Sequence, residues 1–200
     1  MRKFSALLLA LVFAFSIQAA AWEADVTHSS VQFVVSHLTI SKVRGEFTDF
    51  DGALNFDGQN LKDGSVNFTV KTASISTGNT NRDDHLRSDD FFNAVQYPVI
   101  KFVSKQVTPG EGNKFALIGE LTIRDSTKVV SFDCEYHGML EAMGGKRAGF
   151  SAETTINRQD FNVKFNKALE TGGLVVGNDV KLSLELEFVE KAPEEPAEGK

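Results

Sequence analysis

The chain has 200 residues, with 21 lysines and arginines against 27 aspartates and glutamates, and a formal net charge of −6 at pH 7. An acidic surface of this kind disfavours nucleic acid and anionic membrane faces as partners. Cys134 is the only cysteine, so no internal disulfide can form, and a lone thiol at an apolar strand position is typical of a small core residue.

The first 21 residues have the pattern of a cleavable secretory signal. Arg2 and Lys3 form a basic start, an apolar run extends from Phe4 to Phe15, and small residues occupy positions 19–21. The alternative is a retained anchor, but the apolar run is shorter than a bilayer-spanning helix needs. We therefore expect cleavage after Ala21, export to a Gram-negative periplasm and no stable membrane insertion.

Alternation of apolar and polar residues with period two dominates the rest of the chain and predicts half-buried β-strands. In VKLSLELEF (residues 180–188), every second side chain is apolar and shares one face. Gly, Pro, Asn and Asp separate such runs, as tight reversals require. About eight strands are predicted, near residues 31–37, 43–56, 65–75, 98–107, 114–124, 128–138, 147–157 and 180–190.

The second predicted strand changes phase, because Phe47 falls on an odd position of the alternation and Phe50 on an even one. The shift predicts a bulge or bend near Thr48–Asp49. Short connections between the strands predict an antiparallel meander. Strands with one apolar face can bury it in a two-sheet sandwich or in a closed barrel, and the pattern alone allows both.

Residues 82–93, RDDHLRSDDFFN, interrupt the alternation. Asp83, Asp84 and His85 could orient a general base, but no nucleophile pattern lies nearby, and the four histidines lack the HxH or HExxH spacing of a metal site. The favoured interpretation is a short helical lid whose Leu86, Phe91 and Phe92 pack on one end of the fold while its charges face water. The sequence thus predicts no catalytic residue and no metal site.

Phenylalanine is the informative residue type, with 17 copies against one tryptophan and two tyrosines. Large rings beside small residues can fill a solid core, or they can line a tunnel for a flexible apolar chain. The pattern alone leaves both possibilities open. The predicted inward faces carry Phe33, Phe47, Phe68, Phe102, Phe115, Phe132 and Phe150, together with Gly119, Ala148 and Ala152.

Arg158 and Asp160 lie at the start of a second irregular stretch, residues 157–179. An arginine near a cavity mouth suits a phosphate or quinone oxygen. The alternative, which the close spacing favours, is an Arg158–Asp160 pair that braces the loop. The final residues, 191–200, are charged and proline-containing, and we expect them to be a disordered acidic tail after a single domain at 22–190.

Five stretches together resemble the YceI-like family of bacterial periplasmic proteins: HSSVQFVVSHL, GEFTDFDGALNFD, DDHLRSDDFFNAVQYPVIKF, GELTIRDSTKVV and GFSAETTINRQDFNV. The resemblance runs in order from about Trp22 to Val189. The family commonly has Gly where this chain has Asn162, and Gly-Val where it has Asp125-Ser126. Asparagine tolerates a positive φ, so we expect the turn at Asn162 to survive.

The resemblance implies an all-β, antiparallel, eight-stranded lipocalin-like barrel around an elongated apolar cavity. It implies a non-enzymatic protein that carries, stores or sequesters a long-chain isoprenoid lipid, such as a polyprenyl phosphate or quinone, with no other cofactor. The residues expected to bind the lipid are Phe33, Val35, Phe47, Phe68, Val70, Phe91, Phe92, Phe102, Phe115, Leu117, Leu121, Phe132, Phe150, Leu184 and Arg158.

Two other functions stay open at this point. The same barrel could hold an enzyme that acts on an apolar substrate, or it could be a packed barrel that binds another envelope protein. An exposed sheet edge could also support a homodimer.

Overall fold

The computed structural model describes residues 20–165 and 174–191. Predictions for residues 1–19, for the acidic tail and for the middle of the 157–179 loop therefore lie outside the described residues. Within them, α1 is an eight-residue helix, and no helix is long and apolar enough to cross a bilayer. The elements are β1 (Ala20–Ala24), β2 (Ser30–His37), β3 (Ser41–Phe47), β4 (Phe50–Phe56), β5 (Ser65–Lys71), β6 (Ile75–Ser76), α1 (Thr80–Arg87), β7 (Val99–Pro109), β8 (Lys114–Ile123), β9 (Ser126–Ala142), β10 (Gly145–Asn157) and β11 (Val176–Glu190).

The strands form one antiparallel sheet that closes on itself. Both β1 and β2 pair with β11, so they are two halves of one broken barrel strand. In the same way, β3 pairs with β2 and β4 with β1, while β6 pairs with β3 and β5 with β4. Counting each broken strand once gives a closed eight-stranded barrel, which confirms the predicted fold class.

The first three barrel strands break at the same level. The breaks are 3-10 turns at Val26–His28 and Thr72–Ser74, with the two residues Thr48–Asp49 between them. The backbone N–H of Lys71 donates to the Asp49 carbonyl at 2.9 Å, which ties neighbouring breaks together. The bulge predicted at Thr48–Asp49 is therefore a full interruption, and it lets Phe47 and Phe50, three positions apart, both face the interior.

Strand β1 was not predicted from the sequence, and several predicted strand lengths are wrong. The segment is only five residues long, too short for an alternation to stand out, yet Trp22 is buried there and donates from Nε1 to the Phe56 carbonyl at 2.9 Å. The strand predicted over 65–75 ends at Lys71, and β11 begins at Val176, four residues before its predicted start.

The interior has two ends that are packed differently. The lid end lies beneath α1 and the turns after it, and its buried rings include Phe33, Phe68 and Phe102. The Trp22 end is a separate cluster at the opposite end of the strands, built from Trp22, Phe56, Ala148, Phe150 and Phe188. These two names are used below.

Candidate functional site: an apolar cavity beneath a helical lid

A cavity with a volume of about 150 Å³ occupies the lid end. It is apolar on every side, since valine, isoleucine, leucine and phenylalanine make up its wall apart from one arginine. A site without polar anchoring groups suits the hydrocarbon part of a ligand. The lining residues are Val31, Phe33, Val35, Phe47, Phe68, Val70, Leu86, Phe91, Phe92, Ile100, Phe102, Leu121, Ile123, Phe132, Ile156, Arg158, Val163, Val176, Val180, Leu182 and Leu184.

The lid end is hollow because several phenylalanine rings lie along the wall, over glycines of neighbouring strands. The ring of Phe68 covers Gly52, where a β-carbon would lie 2.6 Å from Phe68 Cδ2. The ring of Phe102 covers Gly119 at a corresponding 2.5 Å. Each ring thus fills the place of a missing side chain instead of the centre of the barrel, which leaves the axis open.

The third ring, that of Phe33, covers Gly45, its direct cross-strand partner. The sequence pattern alone allowed large rings beside small residues to fill a solid core or to line a tunnel. The register of the strands decides between a solid core and a cavity, because it determines which glycine faces which ring across the sheet.

The lid is α1 followed by a series of turns. Asn79 caps the helix by accepting from the Arg82 N–H at 3.0 Å, and Asp83, buried in the first turn, accepts from the Thr77 N–H at 2.9 Å. The Asn79 oxygen satisfies one of the N–H donors that a helix start leaves free. The Asp83 carboxylate links the segment before the helix to its first turn.

Aromatic contacts fix the lid to the barrel. Phe92 meets the edge of Phe47 with ring centroids 6.0 Å apart, and Phe91 stacks on Phe165 at 4.7 Å. His85 lies edge-on to both Phe91 and Phe165 and contacts the exposed Asp90 through Nε2 at 2.9 Å. Residues 82–93, RDDHLRSDDFFN, therefore form a lid over the cavity, and contacts of their aspartates and histidine hold this lid in place.

Two arginines tie the lid to its surroundings. Arg87 donates to the carbonyls of Ala73 at 2.7 Å and Ile75 at 2.8 Å. Arg124, from the β8–β9 turn, donates through Nη1 to the Phe91 carbonyl at 2.6 Å and to the Asn162 carbonyl at 2.9 Å. Neither arginine was predicted to hold the lid, because the local sequence pattern does not distinguish such a residue from an ordinary surface arginine.

Arg158 is the one charged residue in the cavity wall, and it is only 5% exposed. Its guanidinium donates to the carbonyls of Val163 at 2.6 Å, Gly177 at 2.8 Å and Val176 at 3.2 Å, and to Asn178 Oδ1 at 3.3 Å. Burial lowers the pKa of Arg158 below its ordinary value.

The predicted Arg158–Asp160 pair is wrong. Asp160 is exposed, and no described carboxylate forms an ion pair with Arg158. Arg158 does brace the loop, but through backbone carbonyls. The charge of Arg158 has no described counter-ion. Its contact with the head group of a ligand stays a prediction.

The structure places the fifteen predicted lipid-binding residues around two cavities. The second, of about 70 Å³, lies towards the Trp22 end and shares no lining residue with the first. Whether any of these residues contacts a ligand stays a prediction. Twelve line the larger cavity, namely Phe33, Val35, Phe47, Phe68, Val70, Phe91, Phe92, Phe102, Leu121, Phe132, Leu184 and Arg158, and three line the smaller one, namely Phe115, Leu117 and Phe150.

The expected single elongated hollow is thus two cavities in this structure. The division falls within individual strands: Phe132 of β9 lines the larger cavity and Cys134 the smaller, and Leu184 and Leu186 of β11 divide in the same way. Several lining residues that the prediction omitted, such as Leu182 and Ile156, carry the same period-two signal as those it included. Val163 had no such signal, because it lies in the loop after β10, and Val176 lies in the part of β11 that precedes its predicted start.

One cluster has the donor types of a metal site. Ligand atoms of Asp25, His28 and Glu187 lie within 4.8 Å of one another. However, Arg147 Nη1 lies 2.9 Å from Asp25 Oδ2 and also contacts Glu187, so a positive charge already occupies the cluster. Hydrogen bonds from His28 and Arg147 hold the pKa of Asp25 well below its ordinary value. The arrangement is an ion-pair clamp across the break between β1 and β2.

Comparison with known proteins identifies the class to which this barrel belongs. The model of the YceI-like domain family matches residues 22–188, and the chain belongs to that family. A UPF0312 protein of Staphylococcus epidermidis is 39% identical over 166 residues, which cover 82% of this chain and 94% of that protein.

Two solved structures share the fold. BcnA of Burkholderia cenocepacia superposes with a TM-score of 0.71 at 26% identity, over 82% of this chain and 98% of that one. A polyisoprenoid binding domain from Saccharophagus degradans, implicated in plant cell wall breakdown, gives a TM-score of 0.66 at 17% identity, over 86% and 99%. At that identity the second likeness shows the fold alone.

Proposed function

We propose that this protein is a non-enzymatic binding protein that holds a polyisoprenoid lipid in the barrel, for carriage, storage or sequestration. The observation that carries the proposal is the apolar cavity of about 150 Å³ closed by an aromatic lid. Membership of the YceI-like family supports the same ligand class.

The chemistry of the cavity favours a branched hydrocarbon chain. Burying a methylene group is worth roughly 0.8 kcal/mol, so a prenyl tail gains far more here than any single polar contact supplies. Ordering a flexible chain offsets part of that gain. Methyl branches along the tail match a wall built from valine, isoleucine and phenylalanine.

A tail longer than the lid-end cavity reaches the second cavity only by parting the layer between them. The boundary falls between Phe132 and Cys134 on β9 and between Leu184 and Leu186 on β11. In this proposal a long prenyl chain displaces side chains at this boundary and joins the two cavities. Arg158, at the lid end, suits an electronegative head group such as a phosphate or a quinone oxygen.

Native mass spectrometry of the protein purified from its own cell envelope tests the ligand. A co-purifying mass that matches a prenyl lipid supports the proposal. Chemical conversion of that lipid by the purified protein would make it an enzyme. A barrel that is consistently empty, and that takes up no added isoprenoid alcohol, would leave it as a packed barrel that binds a protein partner.

The proposed location is the periplasm, reached through the signal at residues 1–21. Intact-mass measurement of the envelope form tests this, since cleavage after Ala21 leaves a chain that starts at Trp22. A retained residue 1 in that fraction would contradict cleavage and favour the retained anchor, and it would leave the ligand proposal unaffected.

A further inference from the structure

The hairpin at the tip of β2 and β3 combines three features that occur together on a membrane-docking surface. Ile40 at its tip is 84% exposed. Lys42 and Arg44 follow on the exposed face of β3. No aspartate or glutamate lies between Asp25 and Glu46, a run of twenty residues in an otherwise acidic chain.

The cations of the hairpin have no ion-pair partner among the described residues. No described carboxylate pairs with Lys42 or Arg44, whereas Lys146 and Arg147, near the β9–β10 turn, pair with Glu190 and with Asp25 and Glu187. An apolar tip beside unpaired cations complements an anionic bilayer, because the side chain inserts while the cations meet phosphate groups.

The backbone holds the tip in a defined shape beside the cavity. Leu38 and Thr39 have left-handed φ angles of 53° and 63°, which form the tight turn before Ile40. The Leu38 N–H donates to the Val175 carbonyl at 3.0 Å, and the neighbouring residues Val35 and Val176 both line the lid-end cavity. A surface that docks through this hairpin therefore lies next to the lid.

We propose that the β2–β3 hairpin, residues 36–45, docks the lid end onto a bilayer that contains anionic phospholipid, so that an apolar ligand can pass between membrane and cavity. The proposal rests on the proposed lipid-binding function for its purpose, but docking itself can be measured separately. The net charge of −6 does not prevent it, since salt screens charges more than about 8–10 Å apart. The cations of the hairpin contact lipid phosphates at distances shorter than this screening length.

Lys42 and Arg44 have an alternative role, the protection of a sheet edge, and the experiment has to distinguish it from membrane docking. Beyond β2, β3 pairs only with β6, through Glu46 and Phe47, so residues 41–45 form a free edge within the described part of the chain. Lysine and arginine on an edge strand also block strand addition by a second copy. If that is their whole role, their removal changes the oligomeric state and not membrane binding.

The experiment is co-sedimentation of the full mature chain with vesicles of phosphatidylcholine alone or mixed with phosphatidylglycerol. We expect binding to the mixed vesicles only, weakened by high salt. Loss of both cations in K42Q/R44Q should weaken partitioning about fivefold per cation, and I40S should weaken it further. The matched controls lie at the Trp22 end: K62Q/K114Q, with the same charge change, and M143S, whose methionine is 82% exposed.

Equal binding by K42Q/R44Q and K62Q/K114Q would overturn the proposal. Dimerisation of K42Q/R44Q on a sizing column, with vesicle binding unchanged, would assign the cations to edge protection. Circular dichroism confirms that each variant is folded. A protein that docks but carries no isoprenoid by native mass spectrometry refutes the proposed function alone, and one that carries the lipid but does not dock refutes this inference alone.

Discussion

The two ends of the barrel interior use the same residue type to opposite effect. At the lid end, phenylalanine rings lie over glycines and leave a cavity of about 150 Å³. At the Trp22 end no described glycine lies under a ring, Phe150 lies 5.0 Å from Tyr136, 5.9 Å from Phe188 and 6.1 Å from Phe56 between centroids, and the cavity is smaller, at about 70 Å³. The number of phenylalanines therefore says little about a cavity, and their partners across the sheet decide it.

The sharpest test of this difference is Phe56→Ala. Phe56 is 1% exposed within the aromatic cluster, and truncation leaves a void that packed rings cannot close. We expect the free energy of unfolding to fall by about 3–5 kcal/mol, measured by urea denaturation. The control is Phe92→Ala in the half-buried lid, where the loss should be less than half as large. Equal losses of unfolding free energy would show that side-chain packing at the two ends contributes equally to stability.

The second test places a methyl group beneath a wall ring. In Gly119→Ala the new β-carbon falls 2.5 Å from Phe102 Cζ and 2.5 Å from the Val103 carbonyl oxygen, and the backbone oxygen cannot move aside. We expect a loss of about 1–3 kcal/mol in the free energy of unfolding. The displaced ring should also narrow the cavity and weaken uptake of an isoprenoid alcohol.

The control for that test is Gly149→Ala. Its β-carbon would lie 3.5 Å from His137 Cβ, an ordinary contact, and its φ is not left-handed. Stability should change little and ligand uptake not at all. If both glycine variants behave alike, the rings do not depend on the missing side chains.

The third test concerns the lid. In the double variant F91A/F92A we expect retained ligand to dissociate about tenfold faster, equivalent to about 1.4 kcal/mol of lost contact. Retention should fall more than stability does, because these rings cover the cavity and are not at the centre of the barrel. Ligand dissociation followed by native mass spectrometry measures it, and unchanged retention would refute the lid.

Alternation and short turns were enough to predict the strands and the antiparallel meander, because each strand has one apolar face. They could not show that Val26–His28, Thr48–Asp49 and Thr72–Ser74 break three strands at one level, since that alignment exists only between strands. For the same reason Arg158 was assigned a carboxylate partner two residues away, while its true acceptors lie up to twenty residues along the chain.

The two departures from the family pattern were noted separately in the sequence, yet they form one unit. Asn162 adopts a left-handed φ of 59°, as expected, and its Nδ2 donates to Asp125 Oδ1 at 2.8 Å and Ser126 Oγ at 2.9 Å. The hydrogen bonds link the β8–β9 turn to the loop after β10. A single sequence shows these residues but not the contact between them.

The fourth test uses pH at the Trp22 end. Hydrogen bonds from His28 and Arg147 lower the pKa of Asp25 in the folded protein, so these contacts stabilise the fold above the unfolded carboxyl pKa of about 3.9 and are lost as pH falls below it. We expect the free energy of unfolding to decline below about pH 4. Asp25→Asn should be less stable at pH 7 and show a shallower acid decline. An identical slope in the variant would place the acid sensitivity elsewhere.

The fifth test measures the reactivity of the Cys134 thiol and has the smallest expected effect. Cys134 lines the second cavity and is 6% exposed. Burial raises the pKa of its thiol to about 12, so the reactive thiolate is scarce at neutral pH. The folded protein should resist iodoacetamide, and the urea-unfolded protein should react fully. A long prenyl tail that joins the two cavities should protect the thiol further in partial denaturant, whereas a ligand confined to the lid end should not. Modification rates with and without added lipid therefore report how far along the barrel the tail reaches.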